Sequence, residues 1–283
     1  MKIILIGAGR IGSAVAFCLA KAGHDITVVA RGARFETLSR DGAIVTVDGQ
    51  RMPVNVVSTF DPATPYELAI VTVPEHQVAP LLPALAASRA NTILLMFNTF
   101  QGTEPYRTIV GAERFAFGFP NMSAYLVGQR LRFRVDGPGM VTTMSSPVLA
   151  KLFRQAAMPS NVEDDMDAFL RSHVALVVPL FLAALLTWRR ATQLTWSEAR
   201  QLDAAWTEGF DLVRSLGHTP KPRLLATLLR MPSFARMGLL WLMSRSRPVK
   251  DLGEFGPTET RALIDVMATA APGKTPHLLA LRP

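Results

Sequence analysis

The sequence is expected to fold as an α/β domain built on a mostly parallel sheet, followed by an all-α domain. Two observations carry this reading. Apolar runs without polar alternation recur at Ile3–Ile6, Ile26–Ala30, Leu68–Val73 and Thr92–Phe97, with helical patterns between them. Continuous runs of this kind mark strands buried on both faces, and strands alternating with helices form parallel sheets. Beyond Ser145 the strand-like runs vanish and helical periodicity continues to the end. The boundary is expected near residues 145–162, giving domains 1–155 and 156–283.

The first strand, Ile3 to Ile6, runs into Gly7-Ala8-Gly9-Arg10-Ile11-Gly12, and a helix pattern and a second strand follow. This is the dinucleotide-binding fingerprint in its required strand–turn–helix–strand context, so the first domain is of the Rossmann type. Gly7 permits the tight turn, Gly9 lets backbone N–H groups approach the pyrophosphate, and Gly12 lets the helix pack closely on the strand. Ala8, Arg10 and Ile11 complete the phosphate-facing loop, and the helix dipole adds positive potential there. An NAD site places Asp or Glu at the end of the second strand. Here Ala30-Arg31-Gly32-Ala33-Arg34 stands there, with no carboxylate until Glu36. A guanidinium at Arg31 suits a 2′-phosphate, which points to NADP(H); a solvated strand-end arginine is the competing reading.

Phe35 to Arg40 reads as a short helix, and Ala43 to Ser58 as a hairpin turning at Asp48-Gly49. Leu68 to Val73 is a buried strand ending at Pro74-Glu75-His76, where a helix through Leu85 begins. Thr92 to Phe97 ends at Asn98-Thr99-Phe100-Gln101-Gly102, and Phe115 to Phe119 is a further strand. Tyr125–Phe133 and Gly139–Thr143 read as an antiparallel return turning at Gly137-Pro138-Gly139. The helices of the second half are expected at 147–157, 164–190, 195–216, 220–230, 233–245 and 257–270. Asp164, Asp165 and Asp167 suit the first turn of the second of these, and Pro179 should kink it.

Apolar residues make up 49% of the 283-residue chain and charged residues 18%, the balance of a globular protein with a sizeable core. The one cysteine, Cys18, excludes an internal disulfide and is read as a buried thiol in a reducing cytoplasm. The N-terminal apolar stretch is too short for a signal peptide. The longest uncharged apolar run, Val174 to Trp188, has 15 residues and contains Pro179, so a buried helix is expected rather than an integral membrane segment. Net charge is +8, and Leu212 to Lys250 holds eight Lys or Arg without an acid. Few aromatics interleave with these cations, so a basic rim attracting an anionic cofactor and an anionic small-molecule substrate is favoured over nucleic acid or a membrane surface. The apolar helical half would also suit a homodimer. His24, His218 and His277 have no companions at metal-ligand spacing, and no metal is expected.

The GAGRIG loop, the AGHDITVVAR segment ending in Arg31, and Asn98 at the end of a buried strand resemble the ketopantoate reductase family. Those are NADPH-dependent enzymes that reduce a 2-oxo acid to a 2-hydroxy acid. The resemblance implies that Asn98 lies beside nicotinamide and substrate, serving both cofactor binding and catalysis. It also implies that Asp251 and Glu259 form an acidic pair lining the substrate cleft, with Glu259 in the catalytic set. Three departures accompany it. Pro74 or Glu75 stands where the family usually has lysine, and Thr99 rather than glycine follows Asn98. The segment Asp167 to Pro179 holds neither the lysine nor the asparagines of the family's catalytic helix.

His173, near the family lysine's position, is the candidate proton donor; a core histidine is the competing reading. Apolar neighbours would lower its pKa and leave a neutral ring that still donates one N–H. Arg171 suits a substrate carboxylate, but Asp167 four residues earlier makes an exposed helical ion pair the commoner arrangement. Glu259 after Pro257-Thr258 is equally readable as a solvated helix-start acid. The resulting expectation is an NADPH-dependent reductase of a small 2-oxo acid. The alternatives are an NADP(H) sensor without turnover or a reductase of another carbonyl or imine.

Overall fold

The computed structural model describes all residues except 138, 191, 247–248, 250–252 and 254–255, and all side chains within its helices except 189, 223, 224 and 226. It divides into two compact units. The first comprises 1–97 and 103–166, and the second 98–102 and 167–283. The division in the chain thus falls later than expected, and five residues following the fourth apolar strand count with the second unit.

The first unit is an eight-stranded sheet carrying helices. Its strands are β1 (Lys2–Ile6), β2 (Asp25–Val29), β5 (Asn55–Val57), β6 (Leu68–Val71), β7 (Thr92–Leu95), β8 (Phe115–Phe119), β11 (Thr142–Met144) and β12 (Ser160–Val162), in the order β12-β11-β8-β7-β6-β1-β2-β5. Strands β5, β2, β1, β6, β7 and β8 run parallel to one another. Residues 3–6 of β1 and all of β6 are buried, as two-sided coverage by helices requires. The chain winds outward from β1 to β2 on one side and to β6 on the other. That places the switch point of the sheet at the carboxyl ends of β1 and β6, where such folds bind ligands.

Helix α1 (Arg10–Lys21) packs Val15, Phe17 and Leu19 into a core shared with Ile3, Leu5, Ile26, Val28 and Leu68. Helix α2 (Gly32–Asp41) ends at Gly42, whose φ of +57° closes it in the left-handed region. Short helices α3 (Leu82–Ala86), α4 (Glu104–Val110) and α5 (Pro147–Gln155) complete the unit. Where a helix was expected from Pro74 to Leu85, two 3₁₀ turns, Glu75–Gln77 and Ala79–Leu81, precede α3, because Pro80 and Pro83 each remove a backbone donor.

Three strand expectations are corrected. Only β3 (Ala43–Val45) and β4 (Arg51–Pro53) form the hairpin about Asp48-Gly49; Asn55–Val57 leaves it after Pro53 and joins the sheet parallel to β2. Strands β9 (Ser123–Val127) and β10 (Arg130–Arg134) pair with each other through Gly128-Gln129, not with 139–143. Both turn residues have positive φ, 53° and 69°, as the tight hairpin turn demands. Residues Thr142–Met144 instead run antiparallel to β8, and Pro138 of the expected turn lies outside the described residues. Strand pairing also continues past Ser145, because β12 adds to β11 in parallel.

The regular elements described in the second unit are helices. It contains α6 (Met166–Arg190), α7 (Trp196–Ser215), α8 (Arg223–Arg230), α9 (Ser233–Met243), α10 (Gly256–Ala270) and α11 (Pro276–Ala280). Helix α6 starts at Met166, so Asp164 and Asp165 precede it and only Asp167 lies in its first turn; it continues through Pro179. Helix α7 opens with a reciprocal cap in which Thr195 Oγ1 accepts from the Glu198 N–H and Glu198 accepts from the Thr195 N–H. The core joins Val174, Val178 and Leu182 of α6 to Leu202, Trp206 and Phe210 of α7, Leu240 of α9 and Ile264 of α10. By length and composition, Met166–Trp188 is apolar enough to cross a bilayer, beyond the 15-residue run read from sequence. Its packing in this core accounts for that apolarity.

Candidate active site

The glycine loop follows β1 directly. Gly7 adopts φ +113°, a conformation that side chains resist. A Cβ on Gly12 would lie 1.9 Å from the Gly7 carbonyl oxygen, so only glycine lets α1 approach the loop this closely. Thr72 Oγ1 donates to that same carbonyl at 2.9 Å, tying the end of β6 to the turn. Gly9 caps α1 with no side-chain hydrogen bond, and no acid occupies the first turn. The N-terminal N–H groups and the dipole of α1 therefore have no competing carboxylate there.

Gly7, Ala8 and Gly9 border a cavity of about 640 Å³ within the first unit, together with Arg31, Arg34 and Thr72. Arg31 is exposed at the start of α2, and its guanidinium has no hydrogen-bond partner among the described residues. Arg34 is half-buried and committed to protein acceptors: Nε donates to the Ala8 carbonyl at 3.1 Å, Nη2 to Ser13 Oγ at 2.9 Å and Nη1 to the Gln129 carbonyl at 2.6 Å. Burial lowers its pKa, with the Asp41 charge opposing. These residues fit a phosphorylated dinucleotide. Gly9 offers an open face, since a Cβ there would meet nothing within 4 Å, and an uncommitted guanidinium stands at the ribose end of the loop. Of the two residues standing for the family lysine, Pro74 borders the cavity, whereas Glu75 accepts from the Tyr106 hydroxyl at 2.6 Å.

The second unit brings Asn98 and Glu259 together. Asn98 Nδ2 donates to Glu259 Oε1 at 2.9 Å, with Glu259 in the first turn of α10. The carboxylate accepts only, so it dictates which way the amide faces. Asn98 Oδ1 is then buried without a hydrogen-bond partner among the described residues. Such an acceptor costs on the order of 1–3 kcal/mol until a donor reaches it. Thr260 Oγ1, beside Glu259 in the chain, is also buried without a partner. Asp251 lies outside the described residues.

Arg171 holds the segment that carries Asn98. Its Nη2 donates to the Gln101 carbonyl at 2.9 Å, and its Nη1 lies 3.1 Å from His218 Nε2 and 3.4 Å from Asp167 Oδ2. The helical ion pair expected from the sequence is present, but it is not exposed, because the Arg171 side chain is only 13% accessible. Gly102, at φ +87°, admits this guanidinium, since a Cβ would lie 2.7 Å from Nη2. His173, two residues on, stacks against Phe169 with ring centroids 6.3 Å apart, and burial pushes its pKa down to about 4. The imidazole is therefore neutral at pH 7. Arg34, Thr72 and Gln129 were not singled out from sequence as cavity residues; the position of Thr72 at the end of a buried strand was the available signal. Among the described residues no group of three or more His, Cys, Asp or Glu gathers as a metal site.

A family model described as "Ketopantoate reductase PanE/ApbA" matches residues 3–144. Among solved structures, a PanE/ApbA family ketopantoate reductase from Ralstonia eutropha JMP134 superposes with a TM-score of 0.77 at 19% identity, covering 100% of this chain and 96% of that one. A putative ketopantoate reductase from Ralstonia solanacearum MolK2 gives 0.74 at 19%, covering 99% and 95%. D-mandelate dehydrogenase in complex with NADH gives 0.73 at 13%, covering 99% and 96%. At these identities the structural likeness establishes the fold. A curated D-amino acid dehydrogenase from Paramagnetospirillum magneticum is 50% identical over 48 residues, which span 16% of this chain and 11% of that protein. With half its length matched by the family model, the chain belongs to the ketopantoate reductase PanE/ApbA family and is an NADP(H)-dependent oxidoreductase of the C=O/CH–OH class.

Proposed function

We propose that the protein reduces a small 2-oxo acid to the corresponding 2-hydroxy acid in a reducing cytoplasm, using NADPH held through Arg31. The observation that carries this reading is the Asn98–Glu259 hydrogen bond with its orphaned acceptor. Glu259 holds the amide so that Oδ1 receives a ligand donor, and the 2-hydroxyl of the product, absent from the 2-oxo acid, is such a donor. An acceptor satisfied only once the hydroxyl has formed favours the reduced state. The remaining Nδ2 proton is available to the substrate's carboxylate or carbonyl. Bound NADPH supplies the hydride.

His173 serves as a neutral N–H donor to the carbonyl oxygen. With its pKa at about 4 it holds almost no proton to give at pH 7, so the proton that completes the hydroxyl comes from solvent. The same property favours a second reading, reduction of an imine, because an iminium arrives already protonated and needs no enzyme acid. No lysine on α6 competes with either account.

A turnover screen of 2-oxo acids and cyclic imines with NADPH tests the proposal. On the preferred substrate, Asn98→Ala should lower kcat/KM by about 10²–10³, the usual cost of one positioned donor or acceptor in a water-poor site. Turnover by Asn98→Ala within twofold of the native protein, or native turnover confined to substrates without a 2-oxo or imine group, would remove the basis of this reading.

A further inference from the structure

We propose that Arg34 is a positioning residue for the dinucleotide, fixing the glycine loop for any nicotinamide nucleotide, while Arg31 alone reads the 2′-phosphate. The two arginines stand three residues apart at the same cavity and differ in what they touch. Arg31 is exposed, and its guanidinium has no partner among the described residues. The Arg34 guanidinium uses all three nitrogens on three different segments: the Ala8 carbonyl in the glycine loop, Ser13 Oγ on α1 and the Gln129 carbonyl in the β9–β10 turn.

The Ala8 carbonyl is where Arg34 acts on the glycine loop. It accepts from Arg34 Nε at 3.1 Å and from Ser13 Oγ at 3.1 Å, so its peptide plane is held by two donors. A peptide carbonyl freed to rotate toward a pyrophosphate would present negative charge to an anion and withdraw the N–H groups on either side. Anchoring it keeps the N–H face on the ligand. The Gln129 carbonyl, in the Gly128-Gln129 hairpin turn, is the third anchor. A planar guanidinium spans three such acceptors at once, whereas an ammonium on a flexible stem does not. Three of its five N–H groups are spent this way, and the anchored group cannot follow a 2′-phosphate as an unbonded side chain can. Its positive charge also adds to the dipole at the start of α1, an effect felt equally by NADPH and NADH.

This inference rests on the cavity being the nucleotide site, and the experiment separates the two ideas. Dissociation constants for NADPH and NADH are measured by calorimetry on the native protein, Arg31→Ala, Arg34→Ala and Arg34→Lys, with thermal unfolding of each unliganded variant. Arg34→Ala should weaken both nucleotides by the same factor, roughly tenfold or more, as expected for loss of charged hydrogen bonds. The NADPH/NADH ratio should stay at its native value. Arg34→Lys should recover only a small part of that loss, and about 20 mM guanidinium chloride, well below denaturing levels, should recover more of it for Arg34→Ala. Arg31→Ala should weaken NADPH alone. If Arg34→Ala does not fold, Ser13→Ala should show a smaller loss shared by both nucleotides. The proposal is overturned if Arg34→Ala changes the ratio as Arg31→Ala does, or if it lowers the unfolding temperature while both affinities stay within twofold. If Arg31→Ala and Gly9→Ala leave both affinities unchanged, the cavity is not the nucleotide site and the role of Arg34 falls with it.

Discussion

Acidification should destabilise this protein through His173 by an amount the structure sets. Burial holds its imidazole at about 4 in the folded chain against 6.5 for the unperturbed group. The unfolded chain binds the proton more readily, so the stability contributed by the neutral, half-buried ring is fully present above pH 6.5. It is lost as pH falls from 6.5 toward 4. The gap of 2.5 units sets a limit of about 3 kcal/mol, of which about 2 kcal/mol is already lost at pH 5. Other groups titrate over the same range, and His173→Gln, neutral at every pH, isolates the contribution. Urea unfolding of both proteins at pH 7.5, 6 and 5 is the assay. The stability of the native protein relative to the variant should fall by about 2 kcal/mol between pH 7.5 and 5. Stability profiles that remain parallel would show that His173 is not held neutral by the fold. The native kcat/KM should correspondingly lack a limb near pH 6.5, and one that His173→Gln removes would restore the imidazole as the proton donor.

Gly9→Ala and Gly12→Ala should separate ligand space from packing: the first leaves the unfolding temperature within about 2 °C yet weakens NADPH tenfold or more, whereas the second, with its Cβ 1.9 Å from the Gly7 oxygen, lowers both. Cys18, its thiol pushed up to about 12 by burial, should resist alkylation in the folded protein at pH 8 and react at full rate in urea; rapid native labelling would contradict this. Arg171→Met should reduce kcat/KM at least tenfold while leaving NADPH affinity unchanged, because it releases the Gln101 carbonyl and with it the segment bearing Asn98. Unaltered steady-state kinetics would show that the segment is held without Arg171.

What was legible in the chain follows from how local each cause is. The β1–α1–β2 unit was readable because the burial of β1 and β2, the turn at Gly7 and the close approach at Gly12 are written within thirty residues. Helices α6 to α10 of the second unit were readable from their periodicity, within a few residues at each end, whereas the short α11 (Pro276–Ala280) was not. Strand β12 was not, because Ser160-Asn161-Val162 carries no apolar run and pairs only through the sheet edge that β11 offers. The departure of Asn55–Val57 from its hairpin likewise depends on β2, whose free edge local sequence does not reveal. His173 shows the intermediate case: its apolar neighbours announced the direction of its pKa shift, and packing supplied the extent.

The placement of Asn98 depends on long-range contacts. From sequence, Asn98 belongs to the strand it follows. In the structure, residues 98–102 count with the helical unit, and the two side chains that hold them there are 70 and 161 residues away. Glu259 sets the orientation of the Asn98 amide, and Arg171 fixes the backbone three residues later. Both act through hydrogen bonds to groups that sheet pairing would otherwise leave free to move. The family lysine is absent from α6, yet the carboxylate–amide pair is present with one acceptor unspent. Proton donation and positioning are therefore separable tasks in this chain. Under the proposed function, the missing lysine bears on the first, while Asn98, Glu259 and Arg171 would supply the second without it and would constrain where a substrate oxygen sits more tightly than where its proton comes from.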